Sequence, residues 1–177
     1  MSEKEARPRN PPEGAKILEA LKRASVRFVV AVPDAVTSEG LLWPICRDPY
    51  FRLVRVCKED EGISICAAMS YCDTKAILLM QQTGLMDSLN ALRAIGMDYC
   101  LPVCMLVGLQ GKEDYLTPRE SKSYGVRIIE PILDAMEVRY DLIESSGDEN
   151  LVCDRIAAAY RESVPQCFLI GRPPLPP

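Results

Sequence analysis

Apolar and polar positions alternate along this chain with two different periods. Six short runs are dominated by branched and aromatic residues, a composition that favours β-strands. Between these runs, apolar residues recur every three or four positions, which predicts amphipathic helices. The strands are predicted at residues 26–32, 51–57, 76–82, 101–109, 139–144 and 166–171. The helices are predicted at residues 13–25, 38–46, 61–71, 84–96, 131–138 and 148–163.

This alternation of strand and helix predicts an α/β fold in which helices cover both faces of a mostly parallel, six-stranded sheet. The expected architecture is therefore three-layered, α/β/α. A chain of 177 residues suits one such domain, which we expect at residues 13–172. Residues 1–12, rich in Pro and charge, are expected to form a disordered lead-in. The Pro-rich tail at residues 173–177 is expected to lie on a partner or to remain free.

Composition narrows the classes of function. The net charge of −4 gives no reason to expect nucleic acid as a partner. No apolar run approaches the roughly 20 residues that span a bilayer, and the polar N-terminus has no signal core. We therefore expect no membrane association and a cytoplasmic location. Five of the eight cysteines lie inside hydrophobic segments, where buried, reduced thiols are expected rather than disulfides or metal ligands: Cys57, Cys66, Cys104, Cys153 and Cys167.

Histidine is absent, which excludes Ser-His and Cys-His catalysis within this chain. Proton transfer near neutral pH would need a carboxylate, a cofactor or a residue of another chain. No Gly-rich phosphate loop follows a strand either, so neither a nicotinamide site nor a nucleoside triphosphate site is predicted.

Three strand ends nonetheless bring polar groups to one edge of the sheet, where parallel sheets bind ligands. They read AVPDA, KEDEG and MQQTG. In the second, Glu61 begins a helix that is apolar nearly all round. Glu61 is either a helix cap or an acid drawn into the core. In the core, desolvation would favour the neutral acid, whereas the dipole at the helix N-terminus would favour the carboxylate. In the third, Thr83 caps the next helix, or the amides of Gln81 and Gln82 orient a polar ligand.

The segments VVAVPDA, DEGISICAAMSY and LLMQQTGLMDSLNAL, in this order, resemble the pyrimidine-binding (PYR) domain of thiamine diphosphate (ThDP) enzymes. They resemble in particular the sulfopyruvate and phosphonopyruvate decarboxylases. The resemblance covers residues 26–109 and implies the ThDP-binding fold. In that family the glutamate that activates the cofactor precedes a glycine, and a tyrosine closes the helix ten residues later. Glu61, Gly62 and Tyr71 fit this spacing, whereas Glu59 and Asp60 do not.

The resemblance implies a catalytic role for Glu61. Its carboxyl group would hydrogen-bond N1′ of the aminopyrimidine and so promote proton loss from the thiazolium C2. The other cofactor contacts implied are Gln81, Gln82, Thr83 and Gly84. The substrate contacts implied are Pro33, Asp34, Gln82 and Lys112, although Asp34 is equally placed to cap a helix. The positive charge that a sulfonate or phosphonate needs is expected from Lys112, Arg119, Lys122 or a partner chain.

The family binds the diphosphate and Mg²⁺ through a Gly-Asp-Gly motif with a downstream Asn, whereas this chain has only SGDEN. The resemblance therefore implies an α subunit whose β partner holds both groups, in a hetero-oligomer with at least two copies of each. The implied enzyme is a carboxy-lyase, active only with that partner, that converts a small 2-oxo acid to an aldehyde and CO₂. The identity of the 2-oxo acid substrate stays open, because five positions differ from the family pattern: Gln82, Thr83, Met86, Asp87 and Gln110. A ThDP-dependent carboligase and a noncatalytic regulatory module are the alternatives.

Overall fold

A single parallel sheet organises the protein. The computed structural model describes residues 10–177 of the chain. The strands are β1 (Phe28–Ala31), β2 (Arg52–Arg55), β3 (Ala76–Gln81), β4 (Cys104–Gly108), β5 (Arg139–Ile143) and β6 (Gln166–Ile170). Their order in the sheet is β2-β1-β3-β4-β6-β5, and every neighbouring pair is parallel. The predicted six-stranded α/β/α fold is confirmed.

Helices connect the strands and cover the sheet. The α-helices of the described chain are α1 (Gly14–Arg23), α2 (Trp43–Arg47), α3 (Glu59–Tyr71), α4 (Gln82–Asp87), α5 (Leu89–Ala91), α6 (Tyr124–Arg127), α7 (Ile129–Ala135) and α8 (Val152–Glu162). A π-helical turn at Ser38–Leu42 leads into α2, and a second one at Leu92–Asp98 continues α5. Short 3₁₀ turns lie at Pro118–Glu120 and Asp148–Leu151. Across residues 10–177, no helix combines the length and the apolar character needed to cross a membrane.

The sheet separates two apolar cores. Successive side chains of a strand point to opposite faces, so neighbouring residues of β1 belong to different cores. Val29 packs with residues of α1, α2 and α8, such as Ile17 and Ile156. Val30 packs on the other face with residues of α3, α4 and α7, such as Ile63. Burial on both faces explains why the central strands read as continuous apolar runs.

Several boundaries differ from the prediction for physical reasons. The strand predicted from residue 101 begins only at Cys104, because Pro102 has no N–H to donate to a neighbouring strand. The helix predicted from Glu61 begins two residues earlier, at Glu59, so that the three acids lie within its first turn. Cys57, expected among the buried thiols, is exposed because it follows the end of the edge strand β2.

The Pro-rich tail packs on its own chain. The Leu175 N–H donates to the Pro12 carbonyl (2.8 Å), and the Gly14 N–H donates to the Leu175 carbonyl (2.8 Å). A side chain on Gly40 would overlap the Pro174 carbonyl, so a glycine is needed for the tail to lie here. The tail thus joins the start of α1 to the turn before α2. Residues 1–9 of the predicted lead-in lie outside the described residues.

Candidate functional site at the carboxyl edge of the sheet

The loops after β1, β2, β3 and β4 meet at the carboxyl edge of the sheet. The loop after β1 reaches across to β4, since a Cβ placed on Gly108 would lie 2.8 Å from Asp34 Oδ1. The end of β3 contacts the loop after β4 through Gln82. The first turn of α3 contacts α4, where Glu59 lies against Gly84. The predicted convergence of these strand ends therefore gives a connected surface.

Glu61 lies at this edge, in the first turn of α3. Its Oε2 accepts hydrogen bonds from the backbone N–H groups of Cys57 (3.0 Å) and Lys58 (3.4 Å). These bonds hold the carboxylate against the loop that precedes the helix, as in a capping box. The residue is exposed, and among the described residues no donor reaches its Oε1. In the single chain Glu61 is therefore a solvent-facing cap with one free oxygen, rather than an acid buried in the core.

The neighbouring charges are engaged in the same turn. Asp60 Oδ1 accepts a hydrogen bond from the Glu61 N–H (2.9 Å). Lys58 forms an ion pair with Asp87 of α4 (3.1 Å), and lies 4.0 Å from Asp60 Oδ2. The Asp87 carboxylate, with smaller effects of Asp60 and Glu59, raises the pKa of the Lys58 ammonium. Because the pair joins α3 to α4 at an exposed position, its net stabilisation is modest.

Gln82, predicted to contact both cofactor and substrate, is 3% exposed. Its Nε2 donates to the Gln110 carbonyl (2.9 Å), and its Oε1 accepts from the Gln110 N–H (2.8 Å). Both ends of the amide are thus used to hold the loop after β4. Each end of the amide keeps one further hydrogen-bonding position, but the residue is almost fully buried, so little of it is open to a ligand.

Gln81 and Thr83 are more accessible. Gln81 Nε2 donates to Thr83 Oγ1 (3.1 Å), and Thr83 is exposed. Of the two alternatives for this segment, the cap at Thr83 is wrong, because α4 starts at Gln82 and Thr83 lies inside it. The hydroxyl of Thr83 and the amide of Gln81 are therefore the polar groups of this segment that face solvent.

Asp34 acts within its own loop. Its side chain accepts hydrogen bonds from the backbone of Val36 (2.7 Å) and Thr37 (2.8 Å) and from the Thr37 hydroxyl. Only 8% of the residue is exposed, whereas the preceding Pro33 is exposed. Asp34 thus stabilises its own loop and does not cap the following helical turn, which begins at Ser38 after the N-cap residue Thr37. Pro33 is the residue of this loop that a ligand would meet.

The cations proposed for an anionic substrate differ in availability. The Lys112 side chain is buried, pairs with Glu144 (2.8 Å) and donates to the Glu113 carbonyl (3.1 Å). Arg119 binds Glu130 (2.9 Å) and Asp134, and contacts the Tyr140 hydroxyl (3.4 Å). Tyr140 and Asp134 raise the pKa of Arg119 further above its usual value. Lys122 is exposed. Because the Lys112 side chain has no exposed surface, a substrate contact by Lys112 would require the side chain or its neighbours to move.

Two features of the edge were not predicted from the sequence. Glu59, which the family spacing excludes as the activating glutamate, is half-buried on Gly84, and Gly108 allows the Asp34 loop to approach β4. Neither contact has a local sequence pattern, because each joins residues of different loops. Residues 10–177 contain no group of three or more His, Cys, Asp or Glu side chains arranged to hold a metal ion.

Comparison with known proteins gives related sequences. No family model matches the chain. It is 32% identical over 93 residues to the sulfopyruvate decarboxylase subunit alpha of Methanothermobacter thermautotrophicus, covering 52% of this chain and 56% of that protein. It is 28% identical over 122 residues to the same subunit of Methanocaldococcus jannaschii, covering 69% and 70% of the two chains. Sulfopyruvate decarboxylase of Methanosarcina acetivorans is 25% identical over 163 residues, 92% of this chain and 40% of that protein.

The match spans little more than half the length of the first of these relatives, 56%. Within that limit, the chain resembles the alpha subunit of sulfopyruvate decarboxylase, as its three edge motifs predicted.

Proposed function

We propose that this chain is the PYR-type α subunit of a cytoplasmic, ThDP-dependent 2-oxo acid decarboxylase. By this proposal it is most like sulfopyruvate or phosphonopyruvate decarboxylase, and releases CO₂ and an aldehyde only together with a β subunit. The observation that carries the proposal is the geometry of Glu61, whose Oε2 is held by two backbone N–H groups while Oε1 remains free. The similarity to three sulfopyruvate decarboxylase alpha subunits supports the same assignment.

The donors and acceptors at this edge suit an aminopyrimidine. The free oxygen of Glu61 can accept a hydrogen bond from a protonated ring nitrogen or share its proton. Thr83 and Gln81 offer a hydroxyl and an amide to polar ring substituents, and Pro33 offers an apolar surface. When bound, ThDP supplies the electron sink that decarboxylation of a 2-oxo acid requires.

In this proposal each residue has a limited task. Glu61 holds or exchanges a proton at the ring nitrogen N1′, and its two backbone bonds keep the carboxylate in place. Gln82 and Asp34 position the loops around the ligand rather than bind it, because their polar atoms already bond those loops. The diphosphate and Mg²⁺ belong to the partner subunit.

Helix α3 supports the proposal of a partner over this edge. Its sequence is apolar nearly all round, yet one side stays open, with Ala68 exposed and Tyr71 81% exposed. Ile65 and Met69 beside them are only half-buried. A partner surface on this side would bury these groups and exclude water near Glu61. We therefore propose a hetero-oligomer with at least two copies of each subunit.

Reconstitution tests the proposal. The chain is co-expressed with a candidate β chain that carries Gly-Asp-Gly and a downstream Asn, and CO₂ release is measured with ThDP, Mg²⁺ and a panel of 3-substituted pyruvates. We expect turnover only with both chains. Glu61→Gln should lower kcat about 100-fold or more, because the amide cannot exchange the proton. The isosteric control Asp60→Asn should retain activity.

Three results would contradict parts of this assignment. Substantial turnover by the single chain would refute the split site. Unchanged activity of the Glu61→Gln complex would favour the noncatalytic regulatory module. Formation of a ligated product when an aldehyde is added, in place of free aldehyde, would favour the carboligase.

A further inference from the structure

Glu59 and Gly84 make an unusually close contact at the candidate site. A Cβ built on Gly84 would overlap the Glu59 side chain from Cγ to Oε1. Such overlap means that the side chain of Glu59 lies directly across the Cα of Gly84. The absence of a side chain at position 84 is thus what lets Glu59 fit between α3 and α4.

This contact is not fixed by hydrogen bonds. Among the three acids of this turn, Asp60 accepts the Glu61 N–H and Glu61 accepts two backbone N–H groups. For Glu59, no donor within residues 10–177 reaches the carboxylate, although the residue is only half exposed. The carboxylate of Glu59 has lost part of its hydration without gaining a hydrogen-bond donor, so this position is unfavourable in free energy. It can therefore leave Gly84 without breaking a hydrogen bond.

We propose that Glu59 is a gating side chain, which covers Gly84 in the cofactor-free chain and swings into solvent when the aminopyrimidine binds beside Glu61. This inference rests on the proposed function and on the cofactor contact at Gly84 that the family resemblance implies. Glu59 lies two residues before Glu61 on the same helical turn, so its movement needs only side-chain rotation. The Lys58–Asp87 pair, which joins the same two helices, can remain in place.

The gate predicts a measurable cost for cofactor binding. If only a fraction of molecules has Gly84 uncovered, the apparent Kd is the intrinsic Kd divided by that fraction. Shortening Glu59 uncovers Gly84 in every molecule, so affinity for ThDP should rise while the groups that bind it stay unchanged. This direction is opposite to that expected if Glu59 were itself a contact of the cofactor.

Calorimetric titration of the reconstituted α/β complex with ThDP at saturating Mg²⁺ tests the gate without relying on turnover. We expect Glu59→Ala to lower the Kd about five-fold, the change that follows if about one fifth of wild-type molecules have Gly84 uncovered. Glu59→Ser, whose side chain suits the start of a helix, repeats the shortening should the alanine variant fold poorly. Glu59→Gln keeps the length and should bind like the wild type. Asp60→Asn, which removes a charge from the same turn, should also leave the Kd unchanged.

The outcomes separate the gate from the proposed function. An unchanged or higher Kd for both shortened variants would overturn the gate. An equal fall in Kd for Glu59→Gln, or for Asp60→Asn, would also overturn it, since charge rather than coverage would then control binding. If the wild-type complex bound no ThDP, the proposed function would fail and the gate with it.

Discussion

Gln82 gives the sharpest test of how the edge is built. Its amide was predicted to contact cofactor and substrate, whereas the structure uses both of its ends on the backbone of Gln110. The variant Gln82→Met keeps a similar volume and removes both bonds, so little cavity energy is added. Each neutral hydrogen bond contributes about 1 kcal/mol net, and the exposed Gln110 can regain water, so the expected loss of stability is about 2 kcal/mol.

The assay is thermal unfolding of the single chain without cofactor, followed by circular dichroism. For a protein of this size, 2 kcal/mol corresponds to a fall in Tm of roughly 4–8 °C. The matched control is Gln81→Met, since Gln81 bonds only the exposed Thr83 and should change Tm by about 1 °C or less. A Gln82→Met chain that melts like the wild type, but whose complex binds ThDP more weakly, would refute a scaffold role for Gln82.

Two further predictions concern the tail and the thiols. Gly40→Ala should displace the tail through its overlap with the Pro174 carbonyl. Trp43, the single tryptophan, lines the same groove as Pro176 and Pro177, so its fluorescence should change. Loss of the two tail hydrogen bonds should lower stability by about 2 kcal/mol. The control Gly125→Ala, whose Cβ would meet only Met86 Cε at 3.5 Å, should leave both measurements unchanged. For the thiols, burial raises the pKa of Cys104 to about 12 and also raises the pKa of Cys66 and Cys167. Alkylation of the native chain at pH 8, followed by mass spectrometry, should therefore spare these three thiols and modify the exposed cysteines Cys46, Cys57, Cys72 and Cys100. Rapid labelling of a peptide that contains Cys66 would contradict the packing.

The sheet could be predicted from the sequence because its signals are local. Strands buried on both faces must be apolar along nearly their whole length, and the runs of the four inner strands β1, β3, β4 and β6 show this directly. A predicted strand boundary was wrong where a single residue interrupts an apolar run, as Pro102 does before β4. The cap proposed at Asp34 was also wrong, because its carboxylate bonds Val36 and Thr37 of its own loop and the helical turn begins only at Ser38.

The site was harder to predict because its contacts are long-range or involve backbone atoms. Gln82 bonds the main chain of a residue 28 positions away, and a backbone partner leaves no trace in residue identity. Lys112, in the loop after β4, pairs with Glu144, which follows β5 on the far side of β6. The sequence of the Lys112 loop alone does not reveal this partner, so the charge was expected to be available to a substrate. Family resemblance identifies residue types at a site, whereas which polar atoms remain free depends on these distant partners.

The position of Glu61 follows from the residue after it. A Cβ on Gly62 would lie 2.5 Å from Leu78 Cδ1, so glycine is required for α3 to approach β3 this closely. That approach sets the first turn of α3 at the edge of the sheet, where the N–H groups of Cys57 and Lys58 can hold the Glu61 carboxylate. The pairing of glutamate with glycine is thus a packing requirement that fixes the acid at the carboxyl edge. Because Glu61 is itself exposed, the described residues hold the acid but do not enclose it, as expected if a second chain completes the site.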